Sequence, residues 1–378
     1  MKTKERKKIL IVGAGFSGAV IARELAEAGK YQITVIDSRD HIAGNCYDTT
    51  CSQTGNKFHK YGPHIFHTNN ARIFDYLSQF TEWTPYKHEV QGSVEHIGDV
   101  PIPVNIDTVN MLYGKKIHSE KEYIDFLESI RTHHERPENS WEHLTNIYGE
   151  KISELFFSRY TKKMWGLDLK NLPISIVSRI PVRTNKERGY FNDSHQYMPK
   201  LGYTHLFTNM LTHENIDIHL NTQFDKSMET EYSYVFNAMP IDVYFDHEFG
   251  ELPYRSIIFD HRIGEQFEHQ VPTINFTDNK KYTRKTNWDL YPGCGGGHTN
   301  LITYEIPCDY KENNFQRYYP VKTIDGEPQK IYSKYKKLAK AREDKMIFIG
   351  RCGQYIYYDM HQVVANSLNI VKQYSSCL

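Results

Sequence analysis

Three observations predict an α/β fold. A strand, a glycine turn and a helix follow one another at the N-terminus, a second strand–glycine loop–helix closes the chain, and helix-periodic text between them gives way to short alternating runs rich in Tyr, Thr and Val. Together they predict a discontinuous Rossmann-like nucleotide domain over 1–79, 195–245 and 336–378. A helical domain is inserted over 105–175, and a mostly antiparallel β-sheet domain is expected over 80–104, 176–194 and 246–335. A chain of 378 residues is long enough for more than one core.

The first element is the most specific locally. "KKILIVGAGFSGAVIARELAEAG" reads as a buried strand, a tight turn and a helix, with Gly13, Gly15 and Gly18 in the G-x-G-x-x-G spacing. Gly13 permits the sharp turn, Gly15 permits close approach of a pyrophosphate, and Gly18 lets the helix pack on the strand. Phe16 and Ser17 open the helix, whose N-terminus presents unpaired N–H groups to an anion. The next strand, "YQITVID", ends in Asp37, 19 residues beyond Gly18, where a ribose hydroxyl is met; Ser38 follows it. A carboxylate there disfavours a 2′-phosphate.

After Asp37, the run "SRDHIAGN" resembles the second cofactor turn of flavoproteins of the FAD-binding amine-oxidase and GDI type. Gly44 permits close backbone approach and Asn45 offers a hydrogen bond; an ordinary β-turn is the alternative. At the C-terminus, "KMIFIGRCGQYIYYDM" supplies a strand, a glycine loop carrying Arg351, and a helix start at Asp359–Met360 suited to a polar flavin edge. A plain βα unit explains it equally. "YSYVFNAMP" reads as a further strand of the same sheet.

Between these lie the insertions. "SEKEYIDFLESI" carries a capping box, Ser119 with Glu122, and apolar residues at helical spacing. Ser140 starts a helix that stops near Gly149, and a third helix runs from Ile152 to Trp165–Gly166.

Composition excludes several classes. With 46 basic and 46 acidic residues there is no global field for nucleic acid or an anionic membrane, although a local anion site stays open. Six cysteines, at 46, 51, 294, 308, 352 and 377, form no CxxC pair and read as reduced thiols. The N-terminus mimics a signal peptide, but Arg23 and Glu24 follow at once. No run approaches the roughly 18 apolar residues of a membrane span. The expectation is a soluble, cytoplasmic protein. The 28 tyrosines suit ligand-stacking surfaces, or reflect compositional drift. His59, His64 and His67 invite a zinc reading, but no fourth ligand or HExxH helix accompanies them, and no metal is expected.

"ELFFSRYTKKMWGLDLKNLPISIVSRIPVR" resembles the UDP-galactopyranose mutase family, with Y-T-x-K-x-W-G and R-x-P-V-R in the family's order. "YGPHIFHT", "MPKLGYT", "YTR", "YYPV" and "GRCGQYIYYDM" extend the resemblance along the chain. It implies a flavin enzyme without net redox change, which interconverts pyranose and furanose rings of a nucleotide sugar when N5 of reduced FAD attacks the anomeric carbon. It further implies a homodimer, an external reductant (reduced nicotinamide or flavin) and a role in surface polysaccharide synthesis; separately, a bound diphosphate must be sheltered from water, so a lid is expected, with the segment around Arg179 as the candidate.

By that resemblance Arg179 and Arg284 grip the diphosphate, a task that suits two bidentate cations. Phe156, Phe157 and Trp165 would wall the base, with Tyr160 and Thr161 adding polar contacts, although aromatics at helical spacing also serve as core. Tyr190, Tyr319 and Tyr357 would lie near diphosphate and sugar, Asn275 near the base, and His64 against the flavin. Two departures stand out. Ala43 replaces a family glycine, and Thr286, Asn287, Trp288 and Asp289 occupy a region where the family carries Glu and Lys near the sugar. The second keeps dTDP-fucopyranose open as substrate beside UDP-galactopyranose. A flavin oxidase and a GDI-like binding protein are the competing classes; the first needs an electron acceptor, and the second needs neither flavin nor paired arginines.

Overall fold

The computed structural model describes residues 6–377, so the basic head at 1–5 lies outside it. Lys7–Val12 is the central strand of a five-stranded parallel sheet. Tyr31–Ile36 and then Ile216–His219 lie on one side of it, with Tyr234–Asn237 and Met346–Phe348 on the other. Ile9, Leu10 and Ile11 are fully buried, as an apolar run covered on both faces requires. Helix Phe16–Glu27 packs against the C-terminal helix Met360–Cys377. The five-stranded sheet is therefore assembled from three separated stretches of chain.

The second sheet has seven strands in the order Tyr319–Pro320, Tyr254–Ile263, Leu301–Asp309, Arg284–Asn287, Thr273–Phe276, Val90–Val94, Gly98–Ile102. All its pairs are antiparallel except Thr273–Phe276 with Val90–Val94. Three expectations need correcting. Residues 176–194 contribute no strand, only a bridge between Gly189 and Glu89. The reason is Arg183, whose guanidinium donates to the carbonyls of Gly189 and Phe191 and to Asn192, so the segment is tied to itself. Trp83–Pro85 joins a separate three-stranded sheet with Phe66–Thr68 and His195–Pro199. The boundary expected at 335/336 falls inside helix Glu327–Lys340.

The helical insertion runs Ile106–Tyr113, Glu120–Ile130 and Ser140–Ile152. Ser119 and Glu122 form the capping box, and Asn105 with Thr108 forms another. Gly149, at φ 75°, kinks the third helix where a Cβ would overlap the Ile130 carbonyl. A π-helical turn, Ser153–Ser158, then leads into Arg159–Trp165. Arg255 caps that helix, donating to the carbonyls of Met164 at 2.9 Å and Lys163 at 3.1 Å. Among the described residues no helix is long and apolar enough to cross a membrane. Cys46, Cys51, Cys294, Cys308 and Cys352 are free thiols, and the Cys377 side chain lies outside the described set.

Asp48 links distant segments. Its buried carboxylate accepts from the N–H groups of Tyr203 at 2.6 Å and Thr204 at 2.9 Å, capping helix Tyr203–Leu211. Gly202, at φ +89°, is required because a Cβ there would overlap that carboxylate. Asp48→Ala should therefore lower unfolding stability by on the order of 2 kcal/mol. Urea denaturation followed by circular dichroism checks this, and an unchanged midpoint would contradict it.

Candidate active site

The cofactor cradle lies at the carboxyl ends of the parallel strands, where ligands of such sheets bind. Gly13 turns at φ +105°, and a Cβ on Gly18 would overlap the Gly13 carbonyl. Gly15 and Gly44 approach so closely that a Cβ on Gly44 would stand 3.0 Å from the Gly15 Cα, and the Ala43 N–H donates to Ala14 O at 2.9 Å. Gly350, at φ +71°, brings the third turn against Ser17. No side chain caps the helix at Gly15, so its first N–H groups are open to an anion. Three glycine turns meeting at an uncapped helix fit a dinucleotide.

Not every expected cofactor residue presents its side chain there. Phe16 is buried against Phe207, ring centroids 4.5 Å apart. The Asp37 carboxylate, expected on a ribose, accepts from the N–H groups of Ala14 at 2.8 Å and Arg39 at 2.9 Å, leaving only its remaining lone pairs for a ligand. Ser38 is exposed on the following turn. Gly18 serves packing.

A cavity of about 640 Å³ adjoins the cradle. Asn45, His64, Arg351, Asp359 and Met360 line it from the cofactor side. Phe156, Phe157, Tyr160, Thr161, Trp165, Arg179, Tyr190, Asn275, Arg284, Tyr319 and Tyr357 line the rest, so the structure brings every expected substrate residue to one space. Gly13, Gly15, Phe16, Ser17, Gly18, Asp37 and Ser38 do not reach it.

The histidine turn forms one wall. His59 Nδ1 accepts from the His64 N–H at 3.0 Å, and His64 Nδ1 lies 2.8 Å from the Gly62 carbonyl. A carbonyl only accepts, so His64 carries its proton on Nδ1 and offers Nε2 as an acceptor. Burial pulls both rings down to about 3, so both are neutral. His67 instead pairs with Asp193 at 2.8 Å and stacks on Phe191. Among the described residues no three His, Cys, Asp or Glu side chains gather as metal ligands.

Positive charge forms the next wall. Arg284 donates to Asn275 Oδ1, Glu305 Oε1 and the Tyr160 hydroxyl, each at 3.4 Å. Arg179 lies 4.8 Å above the Tyr357 ring and Arg351 lies 4.6 Å from the same ring. Burial alone would raise the Tyr357 hydroxyl, yet the two guanidiniums bring it below its ordinary value. Phe156, Phe157 and Trp165 line the cavity while belonging to the helical core. The Tyr319 hydroxyl is committed to the Met164 carbonyl at 3.0 Å.

Several cavity residues escape the sequence reading. Glu305, only 1 % exposed, faces Arg284 across paired strands. Burial raises its carboxyl despite that neighbour. His88 and Tyr61 also line the space, and Arg39 stacks on Tyr61 while donating to Asn45 Oδ1. Only strand register reveals Glu305, and no local signal marks His88.

The segment expected to alter the sugar site is displaced from it. Thr286 and Trp288 are fully buried, and none of Thr286, Asn287, Trp288 and Asp289 lines the cavity. Trp288 Nε1 donates to Thr303 Oγ1 at 2.7 Å, and its ring packs 5.1 Å from His59. The glycine-rich turn beyond it receives Asn56, whose Oδ1 accepts from the Gly297 N–H at 2.7 Å. This region supports the histidine turn from behind.

A family model described as UDP-galactopyranose mutase matches residues 155–357, and one described as an NAD(P)-binding Rossmann-like domain matches residues 11–80. A probable UDP-galactopyranose mutase of Klebsiella pneumoniae is 36% identical, over 98% of this chain and 95% of its own. The chain belongs to the UDP-galactopyranose mutase family. That family is one of isomerases. A dTDP-fucopyranose mutase of Escherichia coli is 33% identical over 97% of this chain and 98% of its own. A crystal structure of reduced UDP-galactopyranose mutase shares the fold, with a TM-score of 0.76 at 16% identity over 99% of this chain and 95% of that one. Nucleotide-sugar mutases of both kinds thus share this mutase architecture.

The neutral histidines make stability depend on pH. His59, His64 and His88 each titrate near 3 when folded and near 6.5 when unfolded. The unfolded chain therefore binds protons first on acidification. Their stabilisation is complete above about pH 6.5 and drains as pH falls toward 3, by at most about 1.4 kcal/mol per group per pH unit. The urea midpoint should fall between pH 7 and pH 5. A His59→Asn/His88→Gln protein should show a shallower fall, and equal slopes would refute the assignment.

Proposed function

We propose that this protein interconverts the pyranose and furanose forms of a nucleotide-diphosphate sugar, with reduced FAD bound in the glycine cradle and UDP-galactopyranose as substrate. The observation that carries this reading is the placement of Arg179 and Arg284 on one cavity, between an aromatic wall and the His64 turn. Two permanent guanidiniums there match a diphosphate, and flat aromatics match a base. The parallel-sheet segments then hold the dinucleotide, while the seven-stranded sheet and the helices hold the nucleotide sugar. The uridine sugar is preferred because the Thr286–Asp289 departure, which kept the thymidine sugar open, lies off the cavity.

Reduced FAD, when bound, would supply a nucleophilic ring nitrogen for the anomeric carbon, with no net change of oxidation state over the cycle. The protein's own residues do the rest. Arg179 and Arg284 hold the diphosphate and take up the charge that grows on it as the glycosidic bond breaks, an interaction strongest in the transition state. Both keep that diphosphate in place for its return. His64 offers an uncharged acceptor at Nε2 toward the cofactor side, and the His59 contact holds its backbone. On the same reading the enzyme is a cytoplasmic homodimer fed by an external reductant, reduced nicotinamide or flavin. It supplies surface polysaccharide synthesis, and the segment around Arg179 closes over the substrate.

Arg179→Ala and Arg284→Ala should each lower turnover by about 10²–10³-fold while flavin content stays at the parental level. Turnover within twofold of the parent would remove the assigned role. In anaerobic assays, dithionite-reduced protein should convert UDP-galactofuranose to the pyranose, and do so faster than dTDP-fucofuranose. Full activity of the oxidised protein would eliminate the reduced-cofactor mechanism, and preference for the thymidine sugar would reassign the substrate.

A further inference from the structure

Helix Glu327–Lys340 packs beside strand Met346–Phe348, which is an edge of the five-stranded sheet. Ile331, Tyr332, Tyr335 and Ala339 turn into the core, and the Tyr335 hydroxyl donates to the Gly250 carbonyl at 2.7 Å. From 328 to 342 the chain has six basic residues and no acid. At about 100° per residue, Lys330, Lys334, Lys336, Lys337 and Lys340 share one arc of roughly 160°. All five are exposed. The helix therefore turns a face of like charges to solvent.

Little in the protein neutralises that face. Lys330 pairs with Glu327 at 2.6 Å, and Lys334 lies 5.8 Å from the Phe249 ring. Among the described residues Lys336, Lys337 and Lys340 have no ion pair. Nearby acids are already engaged: Glu229 by Arg342, Asp246 by Lys226 and Glu251 by Lys311. Glu343 and Asp344 follow only in the turn beyond the helix. The helix dipole accounts for cations in the last turn, Lys337 and Lys340, but not for Lys330 or Lys334 in the first half.

The patch continues past the helix. Lys345 precedes strand Met346–Phe348, and Lys7 and Lys8 open the central strand. All three are exposed. The Lys8 carbonyl accepts from the Ser233 N–H at 2.8 Å and the Lys345 carbonyl from the Val235 N–H at 3.0 Å, so one short segment holds both lysines. These strands begin here and run toward the cofactor cradle, so the basic edge lies at the opposite end of the sheet from the cradle. None of these lysines lines the cavity. The equal totals of 46 basic and 46 acidic residues thus conceal a local segregation of charge.

The chemistry of the patch selects a partner. It is made of lysines, flexible point charges without the fixed fork that reads phosphates or base edges on a nucleic acid. Its aromatics, Tyr332 and Tyr335, are spent in the core and leave no stacking platform for bases. A convex row of ammonium groups matches a layer of mobile anionic headgroups, which rearrange to meet it. With the apolar face already packed, the helix has nothing to insert, so attachment is electrostatic and reversible.

We propose that the lysine face of helix Glu327–Lys340, extended by Lys345, Lys7 and Lys8, docks this protein on an anionic bilayer surface, with the cofactor end of the sheet turned away from the lipid. The flavin-loaded full chain is sedimented with vesicles of phosphatidylglycerol and phosphatidylcholine in equal parts, and with vesicles of phosphatidylcholine alone. It should pellet with the first and stay in solution with the second. Salt at about 0.5 M, where the Debye length falls to about 4 Å, should release it. Lys336→Gln/Lys337→Gln/Lys340→Gln, which keeps helix propensity, should lower the partition constant on the order of a hundredfold. Lys115→Gln/Lys116→Gln/Lys121→Gln, an equal loss of charge on the helical insertion, should lower it by less than about threefold. Failure to pellet with the anionic vesicles, equal pelleting with both kinds, attachment that survives the salt, or equal loss in the two variants would overturn the proposal. So would capture of the parent by a short RNA duplex in place of the anionic vesicles, which would make the partner a nucleic acid.

Discussion

Arg284 is a charge that the fold half-buries on the cavity wall and leaves under-paired. Taking a guanidinium out of water is costly unless opposite charge and hydrogen bonds compensate it. Its protein partners Asn275, Glu305 and Tyr160 all stand at 3.4 Å, the outer edge of hydrogen-bonding distance. Much of the molecule is arranged around these contacts. The pairing of Arg284–Asn287 with Leu301–Asp309 sets Glu305 opposite it, the pairing with Thr273–Phe276 sets Asn275 opposite it, and the helix after the π turn delivers Tyr160. On the proposed reading an anionic oxygen completes what these groups leave unfinished, and the aromatic wall and the histidine turn then give the cavity a direction.

What the sequence revealed follows the range of each interaction. The glycines at 13, 15 and 18 carry their meaning within six residues, because turn, approach and packing are local demands. Arg179, Trp165 and Tyr357 were legible through motif wording rather than through physics of their own surroundings. Glu305, His88 and Asp48 were not legible, since each acquires its role from a partner that only strand register or tertiary packing supplies. Glu305 reads locally as one polar residue in an apolar strand. The segment 176–194 was misread as sheet because alternation says where side chains point and nothing about which group takes the carbonyls. Phe16 was expected at the cofactor by its place at the helix start, and its ring packs away on Phe207.

The family wording also mixes two kinds of residue. In the stretch from 160 to 165, Tyr160 and Trp165 meet the cavity, whereas Lys163 donates to the carbonyls of Phe276 at 2.9 Å and Tyr282 at 2.7 Å, fastening the helix to the sheet. In R-x-P-V-R, Arg179 enters the cavity while Arg183 ties its own loop together. Gly202 of "MPKLGYT" makes room for a capping carboxylate. Scaffold and chemistry thus share one line of text, and the same loss of turnover from two neighbouring substitutions would have different causes. The Thr286–Asp289 departure is similar: Trp288 lies behind the cavity wall, packed on His59 and Tyr291.

The π turn at Ser153–Ser158 has a bearing on how this protein drifts over generations. A π turn holds about one residue more than an α turn, and each residue advances a helix by about 100°. The turn therefore acts as a phase shifter between Ser140–Ile152 and Arg159–Trp165. Point changes inside it leave the phase intact. A single-codon deletion there would restore an ordinary helix and swing Tyr160, Thr161 and Trp165 together off the cavity, though every one of them would survive in the translated chain. Descendants of this gene are thus held to the length of that turn as well as to its two cavity aromatics, Phe156 and Phe157.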